Sequence, residues 1–263
     1  MNDNMKFFTD GAAYEQLMGR WSRRVGDIFL DWVAAPQGLH WLDVGCGNGA
    51  FTETIIARCA PAEIEGVDPS EAQIAYARRR EPAKRARFRT GDAQALPFAD
   101  ASFDAAGMAL VISFVPAPAK AAAEMARVVR PGGWVATYMR DLPNGGLPLA
   151  PLARRRALGL TPPPEPPNAE VSRLENMQAL WNGAGLKDVE ARRIDIEVSY
   201  DDFEDSGNPP PCLATLRRNF CRRCRRRRWS GFGDWLRKSL PSDANGRIRY
   251  EAFASAVKGR VPG

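Results

Sequence analysis

The pattern of apolar and polar positions predicts a strand, a tight loop and a helix early in the chain. An apolar run from Leu39 to Val44 stops at glycines in alternate positions, and Phe51, Ile55 and Ile56 then recur at helical spacing. Glycine tolerates positive φ and has no Cβ, so such a loop brings bare backbone close to a ligand. The pattern therefore predicts a ligand site at the end of this strand.

Strands and helices are predicted to alternate along the rest of the chain, which indicates an α/β fold. The predicted strands span 39–44, 63–67, 86–90, 102–114, 134–139 and 189–198, and the predicted helices span 14–33, 118–130 and 172–183. Ser172 and Glu175 are predicted to form a capping box at the last of these helices. The segment 246–261 is compatible with either a helix or a strand.

Changes in composition divide the chain into four predicted parts. Residues 1–36 are predicted to form an N-terminal helical lid, and residues 37–141 a ligand-binding core. Residues 142–171 form an insertion rich in proline and glycine, which excludes regular structure. The remainder, 172–263, is predicted to complete the sheet, and it contains an arginine-rich segment at 212–229.

The charge of the chain is local rather than general. Eight arginines and no acid lie between Arg217 and Arg228. Because the positive charge of this segment exceeds the net charge of +6 of the whole chain, the body of the protein is mildly acidic. No stretch approaches the ~20 apolar residues of a membrane span. The start lacks the apolar region of a secretory signal, so we expect a cytoplasmic protein. The five cysteines are scattered and do not form a disulfide framework.

The acid before the glycine loop indicates the kind of ligand. The glycines follow G-x-G-x-G, whereas the dinucleotide fingerprint is G-x-G-x-x-G. A carboxylate at the mouth of the loop, Asp43, would repel a pyrophosphate and attract an ammonium group. A nucleoside with a cationic amino-acid tail fits this description, as in S-adenosylmethionine.

At these residues the chain resembles the class I S-adenosylmethionine-dependent methyltransferases, and within them the methyltransferase type 11 or UbiE-like enzymes. The resemblance rests on three segments and covers roughly 39–139: Asp43-x-Gly45-x-Gly47-x-Gly49, then Gly91-Asp92-Ala93-Gln94-Ala95-Leu96-Pro97-Phe98, then Arg130-Pro131-Gly132-Gly133. It implies a Rossmann-like, doubly wound α/β sheet with helices on both faces. The sheet is expected to be mostly parallel, and the last strand, at 246–261, is expected to be an antiparallel edge strand.

The cofactor expected from this resemblance is S-adenosyl-L-methionine. The residues expected to contact it are Tyr14, Arg20, Asp43, Gly45, Cys46, Gly47, Gly49, Asp68, Pro69, Asp92, Ala93 and Met108. Asp68 ends the second strand, where an acid holds ribose hydroxyls in such folds. The resemblance implies that Asp92 accepts from the adenine amino group, that Tyr14 and Arg20 lie near the methionine end, and that Met108 faces the reactive methyl. We expect no metal.

The expected reaction is in-line attack by a small-molecule acceptor on the sulfonium methyl, and no catalytic residue is predicted. His40 precedes the first strand and is expected at the end of the sheet away from the ligand. The segment Met108-Ala109-Leu110-Val111 stands where nucleic-acid amino-methyltransferases carry N/D-P-P-Y/F, which argues against that class. The acceptor, the atom that is methylated and the oligomeric state are not predicted.

The arginine run leaves other interpretations open. A basic face at 217–228 would suit an RNA methyltransferase or an RNA-binding protein, with an affinity that falls steeply with salt. Cys221-x-x-Cys224 lacks a second pair of ligands at zinc spacing, and no redox fold precedes it. A reading-frame error in the gene is a further hypothesis for this segment, which resequencing would test. An NAD-dependent oxidoreductase would share the fold. Comparing the equilibrium binding of NADH with that of S-adenosylhomocysteine distinguishes this class from a methyltransferase.

Overall fold

The computed structural model describes residues 11–80, 82–142, 166–201 and 242–263. The strands are β1 (His40–Val44), β2 (Glu63–Asp68), β3 (Arg87–Thr90), β4 (Phe103–Ala109), β5 (Val129–Arg140), β6 (Lys187–Tyr200) and β7 (Ile248–Arg260). The α-helices are α1 (Gly11–Val33), α2 (Ala50–Cys59), α3 (Glu71–Ala77), α4 (Pro118–Val128) and α5 (Leu174–Gly183). Short 3₁₀-helices lie at Pro82–Arg85, Ile112–Phe114 and Ala169–Ser172.

The chain forms two compact units. Among the described residues, the larger unit contains 22–142, 166–194 and 253–263, and the smaller contains 11–21, 195–201 and 242–252. The predicted segments 143–165 of the insertion and 212–229 of the arginine-rich region lie outside the described residues, so the predicted domain boundaries stay predictions. No helix within the described ranges is long and apolar enough to cross a membrane.

The seven strands form one sheet in the order β3-β2-β1-β4-β5-β7-β6. The pairs β1–β2, β1–β4, β2–β3 and β4–β5 are parallel, and β5–β7 is antiparallel. This order reverses direction at β1, which is the topological switch point where ligands bind in open α/β sheets. The predicted doubly wound sheet with an antiparallel last strand is confirmed.

The prediction that the last strand lies at the edge of the sheet is wrong. β7 lies between β5 and β6, and β6 forms the edge. The burial patterns explain the difference: Ala254, Ala256 and Val257 of β7 are buried, as in a strand paired on both sides. β6 instead alternates buried and charged exposed residues, which is how natural edge strands avoid pairing with other chains.

Helices cover both faces of the sheet because alternate residues of each strand point to opposite sides. On one face, Leu42 and Val44 belong to a core that includes Met125 of α4 and Trp181 of α5. On the other face, the rings of Phe29 (α1), Phe51 (α2) and Tyr138 (β5) pack with centroids 4.9 to 6.1 Å apart. The central sheet is therefore buried between two helical layers.

Three local predictions near these helices need adjustment. The predicted strand 102–114 ends at Ala109, and the 3₁₀-helix Ile112–Phe114 follows. The predicted capping box at α5 is absent, because the Ser172 hydroxyl donates to Ala169 O at 2.6 Å and accepts from Leu142 N at 2.8 Å. The predicted helix 118–130 ends at Val128, and the Arg130–Gly133 segment that follows forms a bulge in β5, where Phe103 pairs with Val129 and Ala105 with Trp134.

Lys258 joins the end of α1 to the antiparallel part of the sheet. Its ammonium group donates to Trp32 O at 3.0 Å and lies 3.4 Å from Glu190 Oε1. It also lies 4.8 Å from the Trp32 ring centroid and 5.3 Å from that of Trp134. The Trp32 carbonyl is in the last turn of α1, where carbonyls have no partner within the helix. Lys258 thus caps α1 with a buried positive charge.

We expect Lys258→Met to lower the free energy of unfolding by about 1–3 kcal/mol, because it leaves the helix end and Glu190 without their donor. Urea unfolding followed by tryptophan fluorescence measures this. Lys187→Met, at an exposed lysine of β6, is the matched control and should change stability by less than ~0.5 kcal/mol. Equal effects of the two substitutions would contradict the capping role.

Candidate functional site

The glycine loop between β1 and α2 is tied to the end of β2. Gly45 N and Cys46 N both donate to Val67 O, at 2.7 and 3.0 Å, and Gly49 N donates to Cys46 O at 2.8 Å. Gly45, Gly47 and Gly49 all have positive φ, of 73°, 50° and 84°. The predicted strand, tight loop and helix are present, and the loop follows the tips of two adjacent parallel strands.

Two of these glycines are required for different reasons. A Cβ on Gly45 would lie 2.6 Å from Val111 Cγ2, so this glycine permits close packing against the segment after β4. A Cβ on Gly47 would have no heavy atom within 4 Å. The Gly47 backbone therefore borders open space, and a ligand can approach it directly.

Asp68 holds the loop in place from the tip of β2. Its Oδ2 accepts from Gly47 N at 3.0 Å, and its Oδ1 accepts from Ser70 N at 2.9 Å. Partial burial raises the pKa of Asp68, while these two amide hydrogen bonds oppose the rise. Each carboxylate oxygen retains a second lone-pair direction, so both can still accept from a ligand hydroxyl.

Asp43 is fully buried beneath the loop, and its predicted location at the mouth of the loop is wrong. β1 is paired on both sides and α2 covers this face, so the side chain points into the protein. Thr52 Oγ1 donates to Asp43 Oδ2 at 2.6 Å, whereas Oδ1 has no hydrogen-bond partner among the described residues. Desolvation, together with the nearby Asp68 charge, raises the pKa of Asp43 to about 7 despite the Thr52 hydrogen bond.

The end of β3 adjoins the same site. Gly91 N donates to Asp68 O at 3.2 Å, so the loop that follows β3 begins beside the β2 tip. Asp92 is exposed, its Oδ1 accepts from Gln94 N at 2.8 Å, and Ala93 next to it is half-buried. Asp43, Asp68 and Asp92 thus lie at or near the carboxyl ends of three neighbouring strands, which is the arrangement expected for the predicted nucleoside site.

The β4 tip contributes residues that the sequence did not reveal. Leu110 has a φ of 62° and donates its N–H to Tyr138 O at 2.9 Å. A leucine in the left-handed region is rare and is held there by its surroundings. Val111 then packs against Gly45. No sequence signal marks a leucine at positive φ, because the residues that normally adopt it are Gly, Asn and Asp.

The remaining residues predicted to contact the cofactor differ in their burial. Cys46 and Met108 are buried among apolar side chains and Pro69 is exposed, so their contacts with a cofactor stay predictions. Burial raises the pKa of the Cys46 thiol well above its usual value, which makes it unreactive. Tyr14 and Arg20 lie on α1, but their side chains are outside the described part of the chain.

Histidine and metal-binding groups were the other candidates for chemistry among the described residues. His40 is the first residue of β1, at the opposite end from the glycine loop, as predicted. Its ring Nε2 lies 3.8 Å from Glu63 Oε2 and its backbone N–H donates to Asp104 Oδ2 at 2.8 Å, which gives His40 a structural role. Within residues 11–80, 82–142, 166–201 and 242–263, no group of His, Cys, Asp and Glu side chains has the arrangement of a metal site.

The fold is a Rossmann-like domain with carboxylates near the carboxyl ends of neighbouring parallel strands. Residues 42–137 match the family model described as a methyltransferase domain. This match agrees with the resemblance to class I S-adenosylmethionine-dependent methyltransferases that the motifs predicted.

Two curated relatives and one solved structure illustrate the similarity. The O-methyltransferase cnsE of Penicillium expansum is 35% identical over 183 residues, which are 66% of this chain and 62% of that protein. The ubiquinone/menaquinone biosynthesis C-methyltransferase UbiE of Paracoccus denitrificans is 39% identical over 108 residues, which are 40% of this chain and 43% of that protein. The alignments therefore span less than two thirds of either relative.

The structural match extends beyond the segment that the family model covers. Phosphoethanolamine N-methyltransferase 2 of Haemonchus contortus, solved in complex with S-adenosyl-L-methionine, superimposes with a TM-score of 0.59. The match has 18% identity and covers 95% of this chain and 56% of that chain. At this identity the likeness establishes the fold.

The buried state of Asp43 predicts a specific pH dependence of stability. Because its folded pKa of about 7 lies above the ordinary aspartate value of 3.8, its stabilising contribution is complete below about pH 4 and is lost as the pH rises through 7. Relative to Asp43→Asn, the wild type should lose on the order of 4 kcal/mol between pH 4 and pH 8. Urea titrations of both proteins across this range measure the difference.

The matched control is Asp188→Asn, which removes a carboxyl at an exposed position of β6. A difference between the wild type and Asp43→Asn that stays constant across this pH range would contradict the buried state of Asp43.

Proposed function

We propose that this chain is a methyltransferase that uses S-adenosyl-L-methionine and acts on a small-molecule acceptor. The observation that carries the proposal is the pairing of Asp68 with the Gly47 amide beside open space, within a segment that matches the methyltransferase domain family. The cofactor residues and the acceptor class are parts of the proposal.

The described residues fit the cofactor chemically. The free lone pairs of Asp68 suit the two ribose hydroxyls, and the open side of Gly47 suits close approach of the amino-acid tail. Asp43, which is fully buried, and Asp68, which is partly buried, make the local potential more negative where their carboxyls are ionised, and no ion pair with a Lys or Arg is formed by either in the described part of the chain. Such a site favours a positively charged ligand over a pyrophosphate.

The adenine end of the cofactor would lie at the loop after β3. Asp92 is an exposed carboxylate suited to accept from an exocyclic amino group, and the neighbouring Ala93 amide is a donor for a ring nitrogen. The backbone bond from Gly91 N to Asp68 O keeps this loop adjacent to the proposed ribose site.

The bound cofactor supplies an electrophilic methyl on a sulfonium leaving group. The protein's own contribution is then mainly alignment of the acceptor and exclusion of water. The half-buried Leu110 and Val111 at the β4 tip are apolar and border the glycine loop, so they suit the exclusion of water. We assign no catalytic acid or base.

A small-molecule acceptor is favoured by the names of the relatives and by the β4 tip. One relative is an O-methyltransferase, and another is a C-methyltransferase of ubiquinone and menaquinone biosynthesis. The apolar Ala109-Leu110-Val111 segment differs from the N/D-P-P-Y/F tetrapeptide of nucleic-acid amino-methyltransferases. The arginine run that would favour an RNA acceptor lies outside the described residues.

Gly47→Ala should weaken binding of S-adenosylhomocysteine by at least about tenfold, because its new Cβ would occupy the space of the ligand. Gly38→Ala is the matched control: Gly38 also has positive φ, at 76°, and a Cβ there would also meet nothing within 4 Å. Both substitutions should therefore cost about 1 kcal/mol of stability, while only the first affects binding. Isothermal titration calorimetry and urea unfolding give the two quantities.

Equal affinities of the two variants would contradict the assignment of Gly47 to the cofactor site. The proposed function is tested by titrating the full chain with S-adenosylhomocysteine and, separately, with NADH, and we expect binding of the first alone. Incubation with methyl-labelled cofactor and fractionated cell extract then identifies the acceptor. Transfer of label to RNA in place of small molecules would overturn the acceptor class, and binding of NADH alone would overturn the function.

A further inference from the structure

Two residues of α4 hold the loop that follows β3. Arg127 Nη1 donates to Phe98 O at 2.9 Å, and Arg127 Nη2 donates to Leu96 O at 3.1 Å. Glu124 Oε2 accepts from Leu96 N at 2.8 Å. Both backbone groups of Leu96 and the carbonyl of Phe98 are thus bonded by side chains from one helix.

The two side chains also bind each other in a fixed geometry. Arg127 Nε donates to Glu124 Oε1 at 2.7 Å, and Arg127 Nη2 donates to Glu124 Oε2 at 2.8 Å. Arg127 Nη1 further donates to Asp100 Oδ1 at 2.6 Å. The side chains of Arg127 and Glu124 are only 31% and 19% exposed, so this two-point pair is better ordered than an ordinary surface ion pair. The same hydrogen bonds lower the pKa of Glu124 and raise that of Arg127, which keeps both charged.

The first half of the loop after β3 is held by other hydrogen bonds, and it contains the carboxylate of Asp92. Gln94 Oε1 accepts from Ala117 N at 3.0 Å, and Gln94 Nε2 lies 3.2 Å from both oxygens of Asp92. Gly91 N is bonded to Asp68 O. The loop is therefore attached to the β2 tip at its start and to α4 at its end, and Asp92 lies between the two attachments.

We propose that Glu124 and Arg127 are positioning residues for recognition of the adenine base. They fix the loop at Leu96 and Phe98, and so determine where Asp92 and the Ala93 amide lie relative to Asp68. The proposal rests on the proposed function. It differs from a role in stability alone, because it predicts a loss of selectivity for one part of the ligand.

The test compares two ligands that differ only in the base. S-adenosylhomocysteine carries the exocyclic amino group, and S-inosylhomocysteine carries a carbonyl in its place. Wild type should prefer the adenine form by about tenfold or more, because the inosine form presents an acceptor to the Asp92 carboxylate. Arg127→Met should lower affinity for the adenine form and reduce this preference toward unity. Isothermal titration calorimetry of the full chain measures both affinities.

A double-mutant cycle separates positioning from a general effect. If Arg127 acts through Asp92, Asp92→Ala should abolish the preference on its own and cause no further loss in the Arg127→Met background. Asp68→Ala, which removes the proposed ribose contact, should weaken both ligands equally and leave the preference intact. Arg173→Met disrupts another i,i+3 pair, with Glu170, and should change neither affinity.

Glu124→Gln provides a milder variant should Arg127→Met fold poorly, because the amide oxygen can still accept from Leu96 N while the charge pair is lost. It should reduce the preference partially. A wild-type preference that persists in both variants, or an equal loss of affinity for both ligands, would overturn the inference. Wild-type protein that binds neither ligand would instead overturn the proposed function.

Discussion

The site depends on the hydrogen bond from the Gly47 amide to the Asp68 carboxylate. This bond joins the loop after β1 to the tip of β2. The distance from Gly47 N to Asp68 Oδ2 is 3.0 Å, and the Asp68 carboxyl is partly desolvated. The loop keeps three glycines at positive φ, a conformation that costs little for glycine and more for any other residue. Backbone hydrogen bonds from Gly45 and Cys46 to the Val67 carbonyl attach the same loop to β2.

Two acids near this bond, the fully buried Asp43 and the partly buried Asp68, are desolvated at a cost in stability. Asp43 has one oxygen without a partner among the described residues, and its raised pKa reflects desolvation that a single Thr52 hydroxyl does not offset. Such unfavourable electrostatics commonly mark functional sites, because a bound ligand can relieve them. A cationic cofactor would relieve them at both carboxylates, which connects the cost in stability to the proposed binding.

The sequence predicted the features that depend on neighbouring residues. The strand, glycine loop and helix follow from local periodicity, and Asp68 follows from its place at the end of a short apolar strand. Features that depend on distant residues were missed or misplaced. The insertion of β7 between β5 and β6, the depth of Asp43 beneath α2, the left-handed Leu110 held by Tyr138, and the contact of Arg127 with Leu96 all depend on packing between segments far apart in the chain.

The central claim is that Asp68 and Gly47 together bind the nucleoside and tail of an S-adenosyl cofactor. A crystal structure of the full chain grown with S-adenosylhomocysteine tests it most directly. The account predicts ribose hydroxyls within hydrogen-bonding distance of the Asp68 carboxylate and ligand atoms in van der Waals contact with Gly47. Ligand density at another place in the fold, with Asp68 and Gly47 untouched, would contradict it.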